Sequence, residues 1–248
     1  MRAGQYIEPM PPQRPIGVRA LLPTQCAVCR GWSRSRVCDG CVQRHAPPLP
    51  RCTVCAIATP AGTAVCGACL HTPPPYARSI AAVDYGFPWS DLVSAFKSRA
   101  ALDLAPALAG LLAAAVQSAG DTLRPSLVLP VPLASERLAE RGMNQAWELA
   151  RRIAGPLGLE TTPRMLRRLI DTAHLADLPR AQRAARIRGA FGIAPGQAHR
   201  LHGQRVALVD DVMTTGATAA EAARVLLSAG ASEVHVWVLA RTPAPADT

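Results

Sequence analysis

A chain of 248 residues, 49% hydrophobic and 18% charged, is long enough for one full-size domain plus a small module and too apolar for wholesale disorder. Its formal charge of +10 invites a nucleic-acid reading, but eight thiolates on two divalent ions would reduce it to +6 and leave only a modest basic excess. The longest apolar run, Leu104 to Val116, is shorter than a bilayer-spanning helix and is interrupted by Pro106 and Gly110; no membrane span is expected.

Residues 1–25 read as an N-terminal extension. Prolines and glycines crowd it and leave no continuous apolar stretch suited to a cleaved export signal, so a cytoplasmic location is expected. All eight cysteines then fall in four pairs with two intervening residues each: Cys26/Cys29, Cys38/Cys41, Cys52/Cys55 and Cys66/Cys69. That spacing points two thiolates from one tight turn at a tetrahedral metal. CAVC to VCDGC is echoed by CTVC to VCGAC, which favours two successive four-cysteine zinc sites, although a cross-brace of first and third pairs fits the same spacings. Four disulfides would suit an exported domain, and the absence of an export signal argues against them. Residues 26–72 are too poor in large apolar side chains to fold on their own core, so metal must supply much of their folding free energy. With four sulfurs per site, His45 and His71 are expected at the surface.

Residues 73–78 read as a linker around the run Pro73 to Pro75, and residues 79–242 as an α/β domain with a tail at 243–248. Strands are expected at 79–84, 127–131, 206–209 and 234–239, and helices at 90–98, 104–119, 144–154 and 218–229. Gly155 and Pro156 are read as stopping the third helix. Residues 171–188, rich in arginine, fit a solvated helix or a mobile loop. Strand, helix, strand at these lengths describes a βαβ unit and hence a parallel sheet with helices on its faces.

In VALVDDVMTTGAT, Val206 to Thr218, an apolar strand meets Asp210 and Asp211, then a loop of hydroxyls and small residues, then a helix. Ligands of open α/β sheets sit beyond the carboxyl ends of strands, and a helix N-terminus offers free amides to a phosphate. Thr214, Thr215 and Thr218 can donate hydroxyls, Gly216 lets the backbone approach an anion, and the two carboxylates suit ribose hydroxyls or magnesium-bound water. Thr218 with Glu221 also matches a capping box. Lys97 is the one lysine among 27 basic residues, a compact point charge where the chain otherwise uses arginine.

VALVDDVMTTGAT resembles the phosphoribosyl-pyrophosphate (PRPP) motif of type I phosphoribosyltransferases. LVLPVPL (Leu127 to Leu133), RLAERGMNQ (Arg137 to Gln145), RGAF ending at Phe191 and the cysteine module together resemble the ComF family of competence-associated proteins, with departures at Leu175 and Arg186. The resemblance implies a type I phosphoribosyltransferase fold that binds PRPP through Asp210, Asp211, Met213, Thr214, Thr215, Gly216, Ala217 and Thr218. It implies pyrophosphate on Val131, Pro132 and Leu133 beside Arg137 and Arg141, with magnesium as cofactor. Lys97, Asp210 and Asp211 are the implied catalytic residues, in displacement of pyrophosphate from the anomeric carbon by an unidentified acceptor. The alternative is a non-catalytic PRPP sensor or single-stranded-DNA factor in DNA uptake or repair. For weak strand binding the candidates are Arg30, Arg34, Arg36, Arg44 and Arg51 around Trp32.

Overall fold

The computed structural model describes residues 23–97, 99–120, 124–170 and 187–244. Most of the arginine-rich 171–188 stretch, with Leu175 and Arg186, lies outside them.

The cysteine region folds as two copies of one turn. After β1 (Thr24–Gln25) and β2 (Trp32–Ser33) comes α1 (Asp39–His45), and α2 (Gly67–His71) closes the second copy. Cys26 N–H donates to Gly31 and Cys52 N–H to Ile57, while Arg30 and Ala56 donate back to the carbonyls of Cys26 and Cys52. Arg30 (φ 64°) and Ala56 (φ 58°) both sit in the left-handed region, each the residue after the first cysteine pair of its copy. The sequence repeat is therefore a backbone repeat.

From β3 (Arg78–Asp84) onward the chain alternates strand and helix: α3 (Trp89–Phe96), α4 (Ala105–Ser118), β4 (Leu127–Pro130), α5 (Ser135–Arg141), α6 (Gln145–Leu157) and β5 (Glu160–Thr161). A small antiparallel pair, β6 (Leu166–Arg168) and β7 (Phe191–Ile193), precedes β8 (Arg205–Met213), α7 (Ala217–Ser228) and β9 (Glu233–Arg241). Among the described residues the main sheet has order β3-β9-β8-β4-β5, every pairing parallel. Val83, Val128, Ala207, Val209, Trp237 and Leu239 pack with α3, α4 and α6. Leu127, Leu129, Val206, Leu208, Val234, Val236 and Val238 pack with α7 and the β6–β7 pair. Burial on both faces explains why these strands read as unbroken apolar runs.

Several boundaries differ from expectation. Helix α6 runs through Gly155 and Pro156 and ends at Gly158 (φ 63°), where Leu159 N–H returns to the Ala154 carbonyl; the stop is the left-handed glycine, not the first glycine met. Strand β8 continues past Val209 to Met213 because β9 extends beside it to Arg241, so the two aspartates lie on the strand rather than after it. The capping box is not formed. Gly216 is the N-cap of α7, and the Glu221 carboxylate instead accepts from Gly189 N–H (2.8 Å) and pairs with Arg224. The stretch Ala101–Ser118 is long and apolar enough, by length and composition alone, to cross a membrane, which the shorter run Leu104 to Val116 did not suggest. Its Leu104, Leu108 and Leu112 are fully buried in the core against the sheet and α6.

The cysteine region packs on the α/β domain at named points. Trp89 Nε1 donates to the His45 carbonyl (2.7 Å), Arg36 pairs with Asp103 (2.8 Å), and Arg51 pairs with Asp84 (2.6 Å). Ser79 N–H, at the start of edge strand β3, donates to the Thr53 carbonyl (3.0 Å).

Candidate functional site

The order β3-β9-β8-β4-β5 reverses direction between β8 and β4, the place where an open parallel sheet leaves a crevice beyond its carboxyl ends. Both loops singled out from sequence leave the sheet there. Val131 N–H donates to the Val209 carbonyl (2.8 Å), so the segment Val131, Pro132, Leu133 begins beside β8 at the residue before Asp210. The Asn144 side chain caps α6 by accepting from Ala146 and Trp147 N–H, and it donates to the Val131 carbonyl (3.0 Å). Helix α5 carries Arg137 and Arg141, both half-buried, and Arg141 donates to Gln145 Oε1 (3.2 Å).

Lys97, at the C-terminus of α3, brings its ammonium to 3.4 Å from Asp211 Oδ2. Residues 114 positions apart in sequence thus share one site. Gln145, 1% exposed, ties the arrangement together by donating to the Lys97 carbonyl (3.4 Å) while accepting from Arg141. Asp210 Oδ1 accepts from Asp211 N–H (2.8 Å). Burial, then the neighbouring Asp211 charge, pushes the Asp210 carboxyl up to about 8, against the pull of that amide and of Lys97.

Beyond Met213, Thr215 Oγ1 accepts from Ala217 N–H (3.2 Å), closing a tight turn that delivers Gly216 at φ 80° into α7. Thr214 is exposed, Thr215, Ala217 and Thr218 are half-buried, and the first-turn amides of α7 lack acceptors within the helix. A Cβ on Gly216 would stand 2.9 Å from the Tyr76 hydroxyl. Gly216→Ala therefore carries both a left-handed alanine and a close contact, and is expected to lower stability by roughly 1–3 kcal/mol, read as a drop in thermal midpoint.

The eight cysteines form two sequential quartets, Cys26, Cys29, Cys38, Cys41 and Cys52, Cys55, Cys66, Cys69, each with its sulfurs within 4.8 Å of one another. The cross-brace is not what the fold contains. Sγ–Sγ separations of 3.8 Å (Cys26–Cys41) and 3.7 Å (Cys29–Cys38, Cys55–Cys66) match the edge of a tetrahedral four-sulfur site and far exceed the ~2.05 Å of a disulfide. Cys38 N–H donates to Cys26 Sγ and Cys66 N–H to Cys52 Sγ, at 3.4 and 3.3 Å. Against burial, which pushes thiols up, backbone amides bring Cys26 down to about 6 and Cys52 to about 7. Burial and the adjacent sulfurs push Cys41 up to about 12, and Cys55 and Cys69 upward too. Four thiolates at such spacing need a cation, so each quartet could hold one metal ion. His71 is exposed and His45 is half-buried against Phe87; neither belongs to a quartet.

Asn144, Gln145 and Tyr76 were not singled out. The first two stood in RLAERGMNQ, whose helix-capping asparagine was the available signal; Tyr76 stood in a proline-rich linker, where nothing marks a core residue.

Residues 157–247 match the model of the phosphoribosyl transferase domain. Over 234 residues the chain is 36% identical to the DNA utilization protein YhgH of Salmonella typhi, covering 89% of this chain and 98% of that protein. Competence protein F of Haemophilus influenzae is 32% identical over 223 residues, covering 88% and 96%. This chain belongs to the ComF family of competence-associated proteins. As a member it joins a parallel-sheet phosphoribosyltransferase-type domain to an N-terminal module of four-cysteine groups. The cysteine quartets lie outside the part that matches the domain model, as do Lys97 and the Val131 loop.

Proposed function

We propose that this ComF member is a magnesium-dependent phosphoribosyltransferase that binds PRPP in the crevice between β8 and β4. The observation that carries the reading is the Lys97–Asp211 pair at the carboxyl end of β8, directly before the hydroxyl-and-glycine loop that opens α7. Thr214, Thr215, Gly216, Ala217 and Thr218 would hold the 5-phosphate through hydroxyls and helix-terminal amides, and Asp210 and Asp211 the ribose hydroxyls or metal-bound water. Val131, Pro132 and Leu133, with Arg137 and Arg141, would hold pyrophosphate. Magnesium, bound with PRPP, supplies neutralisation of the leaving pyrophosphate. In the transfer a bond forms between a nitrogenous acceptor and the anomeric carbon while the carbon–oxygen bond breaks, its electron pair leaving with pyrophosphate and positive charge developing on the ribose. Titration calorimetry of the protein with PRPP, with and without magnesium, followed by a screen for pyrophosphate release across bases, tests it. No heat of binding in either condition overturns it.

The donor sets fit zinc: four thiolates per site, tetrahedral sulfur spacing, no open position. Purified protein is expected to hold about two zinc ions per chain by elemental analysis, and one or fewer would reject one quartet.

A second reading, single-strand binding by the module, is favoured by Trp32, which is 74% exposed between the exposed Arg30 and Arg34. Arg36 and Arg51 leave this set, because both turn inward onto Asp103 and Asp84. An Arg30→Ala/Trp32→Ala/Arg34→Ala variant is expected to lose salt-sensitive binding of a labelled oligonucleotide; affinity equal to wild type would discard the surface.

A further inference from the structure

Arg241 ends β9 and is 5% exposed. Its Nε donates to the Cys55 carbonyl (2.9 Å), and its Nη1 donates to the carbonyls of Met213 (3.0 Å), Thr214 (2.6 Å) and Thr242 (2.7 Å). One rigid guanidinium thus grips the second cysteine quartet with one nitrogen and the start of the phosphate loop with another. The direction of the Cys55 carbonyl is set by the turn that the quartet closes: Ala56 N–H returns to Cys52, Cys52 N–H to Ile57, and Arg51 holds the Ala56 carbonyl at 3.2 Å. Tyr76, in the segment between the second quartet and β3, packs on the same loop. It is buried, its hydroxyl lies 4.0 Å from Met213 Sδ, and it backs Gly216. The first quartet meets the α/β domain elsewhere, through His45 with Trp89 and Arg36 with Asp103.

We propose that Arg241 is a positioning residue that couples metal loading of the Cys52 quartet to the conformation of the Met213–Ala217 loop, so that losing that ion loosens the loop and weakens phosphosugar binding. The ligand named here rests on the proposed function above; the link between quartet and loop does not. Coupling of binding free energies is reciprocal, so a bound phosphosugar also tightens the second quartet's hold on its metal and leaves the first unaffected.

The test uses full-length zinc-loaded protein and hydrogen exchange of residues 213–217, with residues 206–209 of β8 reporting that the sheet remains folded. In Cys55→Ser the loop is expected to exchange about tenfold faster and PRPP affinity to fall about tenfold, while Cys29→Ser leaves loop exchange within about twofold of wild type. Should Cys55→Ser not fold, a chelator titration of Cys29→Ser protein makes the same comparison with the second quartet as the remaining intact site. Arg241→Lys, whose single nitrogen cannot span both sets of carbonyls, is expected to keep the second metal while its removal no longer alters the loop. Equal loop exchange with and without the second metal overturns the proposal, as does undiminished coupling in Arg241→Lys. If wild type binds no PRPP, the phosphosugar reading fails, and the exchange comparison still decides the role of Arg241.

Discussion

Asp210→Asn is expected to raise the stability of the unliganded protein and, combined with Asp211→Asn, to abolish binding of magnesium–PRPP. Burial and the neighbouring Asp211 charge hold the Asp210 carboxyl up at about 8, far above an unfolded aspartate. A carboxyl raised on folding contributes stability that is complete below the unfolded pKa and is lost as pH climbs through the folded one. Between about pH 4 and pH 8, then, the folded protein holds a proton that the unfolded chain releases, and stability falls as pH rises across that window. Asparagine carries no such penalty. Its gain over wild type should be absent below pH 4, grow through neutrality and level off above pH 8, reaching 1 kcal/mol or more in denaturant titrations. An unchanged difference across pH would show that Asp210 ionises freely. The double variant keeps side-chain volume and loses acceptor charge, so its PRPP affinity should fall at least about a hundredfold by calorimetry. Wild-type affinity in that variant would remove the carboxylates from the site. Stability gained where ligand is lost is the usual signature of a site held in a costly state.

For the proposed phosphoribosyl transfer, Lys97→Met is expected to lower turnover by about a hundredfold or more, because it removes the cation paired with Asp211. Lys97→Arg should fold, bind PRPP within several-fold of wild type, and still turn over slowly, since a planar guanidinium does not reproduce a point charge 3.4 Å from one carboxylate oxygen. Single-turnover measurement with PRPP separates the two effects: a change confined to binding would place Lys97 in charge balance rather than in the chemical step. Unaltered turnover in Lys97→Met would make it a bystander. Retention of Gln145, whose side chain donates to the Lys97 carbonyl, makes gross misplacement of α3 a poor explanation for any loss.

Local rules carried much of the architecture. Apolar runs located β4, β8 and β9, the glycine-threonine loop located the start of α7, and the repeated cysteine pairs gave two turns of identical backbone. Paired spacing could not decide between sequential and crossed metal sites, because that choice depends on which turns face each other in space. Helix ends were misread where a rule had two candidates: Gly155 and Gly158 both fit a stop, and only Gly158 adopts the left-handed backbone. Glu221 looked like a capping partner in one dimension and is claimed by Gly189 in three. The pairing of Lys97 with Asp211 needed the sheet order, which no window of sequence contains. Tyr76 and Arg241 were hidden for a related reason: one stood beside the proline run of the linker and the other beyond the strand expected at 234–239, and both are buried in the structure.

Strand β3 lies at one margin of the sheet, where an unpaired backbone invites another chain to add itself. Here that margin is sheltered: Thr53 receives the first amide of the strand's flank at Ser79, and Arg51 closes on Asp84 at its far end. A protein trimmed to begin at residue 79 would keep every residue proposed to hold PRPP and present a bare six-residue ribbon, Ser79 to Asp84, to its neighbours. Such a fragment is expected to self-associate through that margin, read as a concentration-dependent rise in apparent mass, and a relative without the module would need a charge, a proline or a covering helix in the same place.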